Sequence, residues 1–183
     1  MPIFEPADTI SDVVLVRPDV HGDDRGSFVE TYRREWFADG REMVQANRSN
    51  KQHGAVVGLH YHLHQADYWY VLDGTARVVL HDLRVGSPTL GATFQVDITG
   101  SENRGLYIPP GVAHGFASLT DLLLWYLVDG YYNPEDELGL AWDDPEVAAD
   151  WGIGSPVLSG RDQSNPARKD IEEKRLPIYG PRN

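Results

Sequence analysis

The chain has 183 residues, 41% of them apolar, with five Trp, nine Tyr, five Phe, no Cys and a formal net charge of −12. That length suits one well-cored domain at about 150 residues per domain, and the missing thiols exclude cysteine nucleophiles, thiolate metal sites and disulfides. The acidic balance repels nucleic-acid phosphates and anionic membrane surfaces, so a phosphate-bearing ligand must be held by a few local arginines.

The opening MPIFEPADTISDVVLV carries acids where a signal peptide would carry a basic region. No apolar run approaches the roughly 20 residues of a membrane span, and the chain reads as soluble and cytoplasmic. Short β-branched or aromatic runs then follow at 12–16, 27–32, 55–63, 68–72, 76–83, 93–98, 106–109 and 122–128. HGDDRG, LDG, GSPT, GSENRG and PPG separate them with turn chemistry, which predicts an antiparallel all-β sandwich or barrel. Helical signals are confined to 33–40, 145–152 and 169–175. Without repeats or a low-complexity linker, residues 1–183 read as a single domain, with polar, proline-bearing 165–183 as its C-terminal arm.

The stretch 58-GLHYHLHQADYWYVLDG-74 places His60, His62 and His64 at alternate positions. In a strand these side chains share a face, but the first and third stand about 13 Å apart. One ion with bonds near 2.0–2.1 Å takes two neighbours at most. The plain alternative is a pair of polar side chains on a solvated strand face. His60, His62 and Asp67, however, have the spacing of the first cupin motif, with Asp where Glu is usual. The stretch 109-PPGVAHGF-116 is similar to the core of the second, with His114 pointing into the barrel. His60, His62, Asp67 and His114 are thus candidate ligands for a divalent Fe, Mn, Ni or Zn ion.

A wider resemblance runs through 23-DDRGSFVE-30, 45-QANRS-49, 58-GLHY-61, 82-DLRVGSPTLG-91, 107-YIPPGVAHGF-116, 131-YYNPEDE-137, 142-WDDP-145 and 158-LSGRD-162. In order and spacing these blocks resemble the dTDP-4-dehydrorhamnose 3,5-epimerase family. The resemblance implies a double-stranded β-helix, the cupin jelly roll, in a cytoplasmic homodimer acting on a thymidine-diphosphate 4-keto-6-deoxy sugar without a cofactor. It implies His60 as base, Asp162 as its orienting partner and Tyr126 as the opposing proton donor. Substrate recognition falls to Arg25, Phe28, Glu30, Gln45, Asn47, Tyr132 and Arg161, with Glu137 and His114 nearby. Segment 12–20 is the expected exchanged edge of the dimer.

The chain departs from that pattern near the sugar. Val57 stands where the family has Arg, Asp67 where it has Lys, Val78 where it has an acid supporting the inner His, and His62 where it has Gln. The loop between GLH and LDG is also about three residues shorter than in the family. Two readings follow beside a non-catalytic sugar-nucleotide binder. In an epimerase of a nucleotide-linked 4-keto sugar, His60 pairs with Asp162. In a metal-dependent cupin enzyme of altered chemistry, His60 is a ligand and cannot be the base.

Overall fold

The computed structural model describes residues 1–37 and 41–180. Within them, strands numbered in chain order form two antiparallel sheets and a separate hairpin. One sheet has the spatial order β1 (Ile3–Pro6), β2 (Val14–Arg17), β10 (Gly105–Ile108), β7 (Asp67–Asp73), β12 (Leu122–Val128), β5 (Gln45–Lys51). The other runs β13 (Leu138–Gly139), β6 (Val56–Tyr61), β11 (Val112–Ser118), β8 (Thr75–Asp82), β9 (Thr93–Thr99). β3 (Val20–Asp23) pairs with β4 (Gly26–Val29) outside both sheets. This is the all-β jelly-roll architecture the sequence predicts.

Trp69, Val71, Leu106, Ile108 and Leu124 on one inner face pack against Val78, Leu80, Ile98, Val112 and Phe116 on the other. Burying each such side chain contributes about 1.5–3 kcal/mol. Alternation sends Tyr68 and Tyr70 to the opposite side of β7, beneath Phe37, Met43 and Leu127. It likewise sends Ala113 and Ala117 of β11 beneath Leu140, Val147, Trp151 and Ile171. Both faces of these strands are therefore covered, which is why their sequences read as unbroken apolar runs.

Five strands were not among the predicted runs: the short β1, β3 and β13, and the longer β5 and β11. β5 has the polar sequence QANRSNK, and β11 is built from small residues within VAHGFAS. The helical expectations are corrected: among the described residues, helix is confined to 3-10 turns such as Arg34–Trp36, Arg168–Asp170 and Glu173–Arg175. In 145–152, the Val147 and Ala148 amides donate to the Asp144 carbonyl, and Ala148 then turns left-handed at φ 50. That geometry ends a helix after one turn, while Val147 and Trp151 stay buried. Residues 38–40 and 181–183 lie outside the described residues. The expected exchanged edge is also corrected, because β2 pairs with β1 on one side and β10 on the other.

The tail is packed along 165–180. Ile171 is buried, Leu176 packs beside it, and Ile178 bridges Val85 in parallel. A buried polar cluster lies beside the end of this tail, where Arg84 stands over the Tyr179 ring at 4.9 Å. Asp82 accepts hydrogen bonds from Arg84 Nε (2.9 Å), Ser87 Oγ (2.6 Å) and Thr89 Oγ1 (2.7 Å). Arg84 Nη2 continues to the Ser11 carbonyl at 2.8 Å, tying the N-terminal loop to the end of β8.

The pairing of β6 with β11 aims the central histidine. His114 stands opposite His60, but Phe116 stands opposite Val57, so β6 carries one extra residue between them. That bulge lets Val57 pack toward the inner core while Leu59 and Tyr61 pack on the outer face. His60 is thereby turned inward beside His114. Gly58 makes the bulge possible: its φ is +109, and a Cβ there would meet the His114 carbonyl oxygen at 2.7 Å and Gly115 Cα at 2.8 Å. Gly58→Ala should lower stability by about 1–3 kcal/mol in urea denaturation. Gly154→Ala, whose Cβ meets nothing within 4 Å, should stay within about 0.5 kcal/mol of the parent.

Candidate active site

His60 meets the C-terminal segment at the rim of the sandwich. Its Nε2 lies 2.6 Å from Asp162 Oδ1, in the 3-10 turn Asp162–Ser164. The Ser159 hydroxyl donates to Asp162 Oδ2 at 2.9 Å and accepts from the Asp162 amide at 3.1 Å, clamping the carboxylate from both sides. Burial pushes the Asp162 carboxyl up. Hydrogen bonding and charge from His60, with bonds from Ser159 and the Gly58 amide, outweigh this and hold it below the usual range. An ionised partner can only accept, so Nε2 carries the proton and Nδ1 keeps the lone pair. Nδ1 lies 3.8 Å from Glu137 Oε1, which also accepts a 2.9 Å hydrogen bond from Arg161 Nη1.

A second cluster lies beside this pair on the inner faces. His62, just past the end of β6, donates from Nδ1 to the Asp136 carbonyl at 2.7 Å. His114 donates from Nδ1 to the Val112 carbonyl at 3.0 Å. The two Nε2 atoms then lie 4.0 and 3.9 Å from the two oxygens of Asp67. Gln65 Nε2 donates to Asp67 Oδ1 at 2.9 Å and the Trp69 indole to Oδ2 at 3.0 Å. All three central residues are buried, and burial pushes the His114 imidazolium down to about 4, leaving that ring neutral near pH 7. His64 is exposed and points away.

Tyr126 is half-buried on β12 and packs against the inner core. Burial first, then the charges of Asp67 and Glu137, push its phenol up, so it stays protonated at neutral pH and lies within electrostatic reach of both clusters. Asn47 of β5 stands opposite Tyr126 and accepts from Gln45 Nε2 at 2.9 Å, while Gln45 Oε1 accepts from the Tyr132 amide at 3.4 Å. The hairpin residues sit apart. Arg25 pairs with Asp23 and Glu30 with Arg33, while Phe28 is 64% exposed.

The expectation that His60 joins a metal set is corrected. Its Nε2 is committed to Asp162, and the convergent group consists of His62, Asp67 and His114. Two departures from the family pattern are core residues: Val78 is buried and Val57 packs against the same cluster. Sequence reasoning missed Asp136, whose carboxylate accepts from the Leu63 amide at 2.6 Å and the His64 amide at 3.2 Å while its carbonyl orients His62. Its signal was the turn-forming NPED sequence immediately before Glu137.

Comparison with known proteins gives the same answer over nearly the whole chain. A family model described as dTDP-4-dehydrorhamnose 3,5-epimerase matches residues 7–170. A curated protein of that name from Neisseria gonorrhoeae is 37% identical over 91% of this chain, which spans 53% of that relative's length. NovW, a 4-keto-6-deoxy sugar epimerase from the novobiocin gene cluster of Streptomyces spheroides, is 34% identical with a TM-score of 0.91, covering 98% of this chain and 94% of that one. A dTDP-6-deoxy-D-glucose-3,5-epimerase from Legionella pneumophila, solved with dTDP-4-keto-L-rhamnose, is 32% identical with a TM-score of 0.92 and covers 99% of this chain and 100% of that one. With sequence and overall fold in agreement, the chain belongs to the dTDP-4-dehydrorhamnose 3,5-epimerase family.

Proposed function

We propose that the protein epimerises a nucleotide-diphosphate-linked 4-keto-6-deoxy sugar at C3, C5 or both. The observation that carries this reading is the His60–Asp162 pair, a base with its orienting carboxylate at 2.6 Å. A proton beside a ketone becomes acidic when the developing enolate is stabilised. His60 Nδ1 takes that proton while Asp162, bonded to Nε2–H, holds the tautomer and stabilises the imidazolium. Tyr126 then delivers its phenolic proton to the opposite face of the carbon. Exchange with water returns His60 and Tyr126 to their starting states.

Recognition of the nucleotide and diphosphate is assigned to Arg25, Phe28, Glu30, Gln45, Asn47, Tyr132 and Arg161, with Glu137 holding Arg161 in place. The reading includes a cytoplasmic homodimer. Apolar exposure supports association of two copies: Ile3 is 59% and Phe4 42% exposed on β1, and Val20 is 50% and Phe28 64% exposed on the hairpin. Among the described residues, no helix is long and apolar enough to cross a membrane.

With a dTDP-4-keto-6-deoxyhexose in heavy water, the protein should place deuterium at C3, C5 or both, as read by proton NMR. His60→Ala should slow this exchange by about 100- to 10,000-fold. Tyr126→Phe should leave proton removal faster than inversion, so wash-in outruns net epimerisation. Absence of exchange with several such sugars would overturn the epimerase reading. Sedimentation velocity at micromolar concentration should separately give a dimer, and a monomer there would remove the assembly from the proposal.

A further inference from the structure

The proton-transfer pair leaves His62, Asp67 and His114 without a role. Their arrangement is specific. Each imidazole gives its Nδ1–H to a backbone carbonyl, Asp136 for His62 and Val112 for His114, so each Nε2 presents a lone pair. Neither Nε2 makes a hydrogen bond among the described residues, and both face a buried carboxylate at 4.0 and 3.9 Å. With both rings neutral, two lone pairs directed at an anion repel it unless positive charge lies between them, supplied either by a metal ion or by a proton on one ring. The three ligand atoms lie within 4.8 Å of one another, so an ion at their centre would stand at most about 2.8 Å from each, and the side chains must close by roughly half an ångström to reach metal–nitrogen and metal–oxygen bonds of about 2.0–2.2 Å.

Surrounding contacts support the same use. Backbone carbonyls on the far nitrogens orient the imidazoles, as they do for metal-bound histidine. Gln65 and Trp69 each occupy one lone pair of the Asp67 oxygens, fixing the carboxylate plane while leaving a lone pair on each oxygen free.

We propose that His62 Nε2, His114 Nε2 and the Asp67 carboxylate bind one divalent transition-metal ion. Two imidazoles and a carboxylate suit Fe, Mn, Ni or Zn and leave coordination positions open. Asp67 occupies the place where the family carries a lysine cation, and its charge reaches Tyr126. A metal here would place positive charge beside Tyr126, available to steady a developing enolate oxygen bound in this pocket. That catalytic role rests on the epimerase reading, whereas the binding of the ion does not.

The test uses full-length protein without a histidine tag, stripped with a chelator and dialysed. Calorimetric titration with Mn²⁺, Ni²⁺ and Zn²⁺ separately should give one equivalent per chain for at least one ion. Near-isosteric Asp67→Asn and the ligand deletion His114→Ala should each weaken binding by more than the about 10- to 100-fold typical of changes in supporting residues. His21→Ala, on the exposed hairpin, should not change it. Far-ultraviolet circular dichroism of each variant, with the metal-induced rise in melting temperature of the parent, guards against reading misfolding as lost binding. No stoichiometric binding, or binding undiminished in folded Asp67→Asn and His114→Ala, overturns the proposal. His60→Ala should lose deuterium exchange yet keep the parent's metal affinity, so failure of the epimerase reading and failure of the metal site give different results.

Discussion

The hydrogen bond between His60 and Asp162 joins residues 102 positions apart, and the placement of the C-terminal segment follows from it. Its geometry requires two independent supports. The β6 bulge turns His60 inward, and the packing of Leu140, Trp151 and Ile171 on the outer face brings 158–162 back over the rim. Ser159 then locks the carboxylate, so little side-chain freedom remains to be lost when substrate arrives. An imidazole held by an ionised acceptor is both oriented and stabilised once protonated, which suits the base role proposed for His60 and gives an aspartate at this position a physical purpose beyond packing.

The sandwich divides its inner space chemically. Trp69, Leu80, Ile108 and Phe116 fill the body with close-packed apolar volume, whereas Asp67, His62, His114 and Tyr126 gather toward one end. The border lies within single strands. β7 passes from Asp67 to Trp69 and Val71 on one face, and β11 passes from His114 to Phe116. Buried polar groups placed this way are costly unless satisfied, and three of them have named partners: Gln65 and Trp69 for Asp67, the Asp136 carbonyl for His62 and the Val112 carbonyl for His114. The interior is therefore a packed core at one end and an ordered polar pocket at the other.

The departures from the family pattern separate along the same border. Val57 and Val78 replace polar residues and join the apolar core, so they extend the packed region. Asp67 and His62 add an anion and an imidazole to the polar end, and His114 completes the group. The net effect is to move charge from isolated cations to a convergent set of donors. With a formal net charge of −12, the protein gains nothing at long range from such a change; its consequence is local to the pocket.

Much of the fold was legible because β7, β8 and β12 are long apolar runs bounded by turn residues. The ordered motifs identified the family, and the resemblance they carry singled out His60, Asp162 and Tyr126 as candidate site residues. β5 was invisible because its polar side chains carry no hydrophobic signal, and 145–152 resembled a helix because local propensity cannot register Ala148 in the left-handed region or Trp151 drawn onto a sheet. Alternation alone could not choose the partner of His60, since a one-residue bulge reverses every face after it. The sequence by itself determined the apolar strands of the core, the residue types offered at the candidate site and the charges that depart there from the family pattern. Only the tertiary structure decided that His60 belongs to Asp162 while His62 belongs with Asp67 and His114, because hydrogen-bond direction depends on which backbone carbonyls and carboxylates the folded chain brings within 3 Å of each ring.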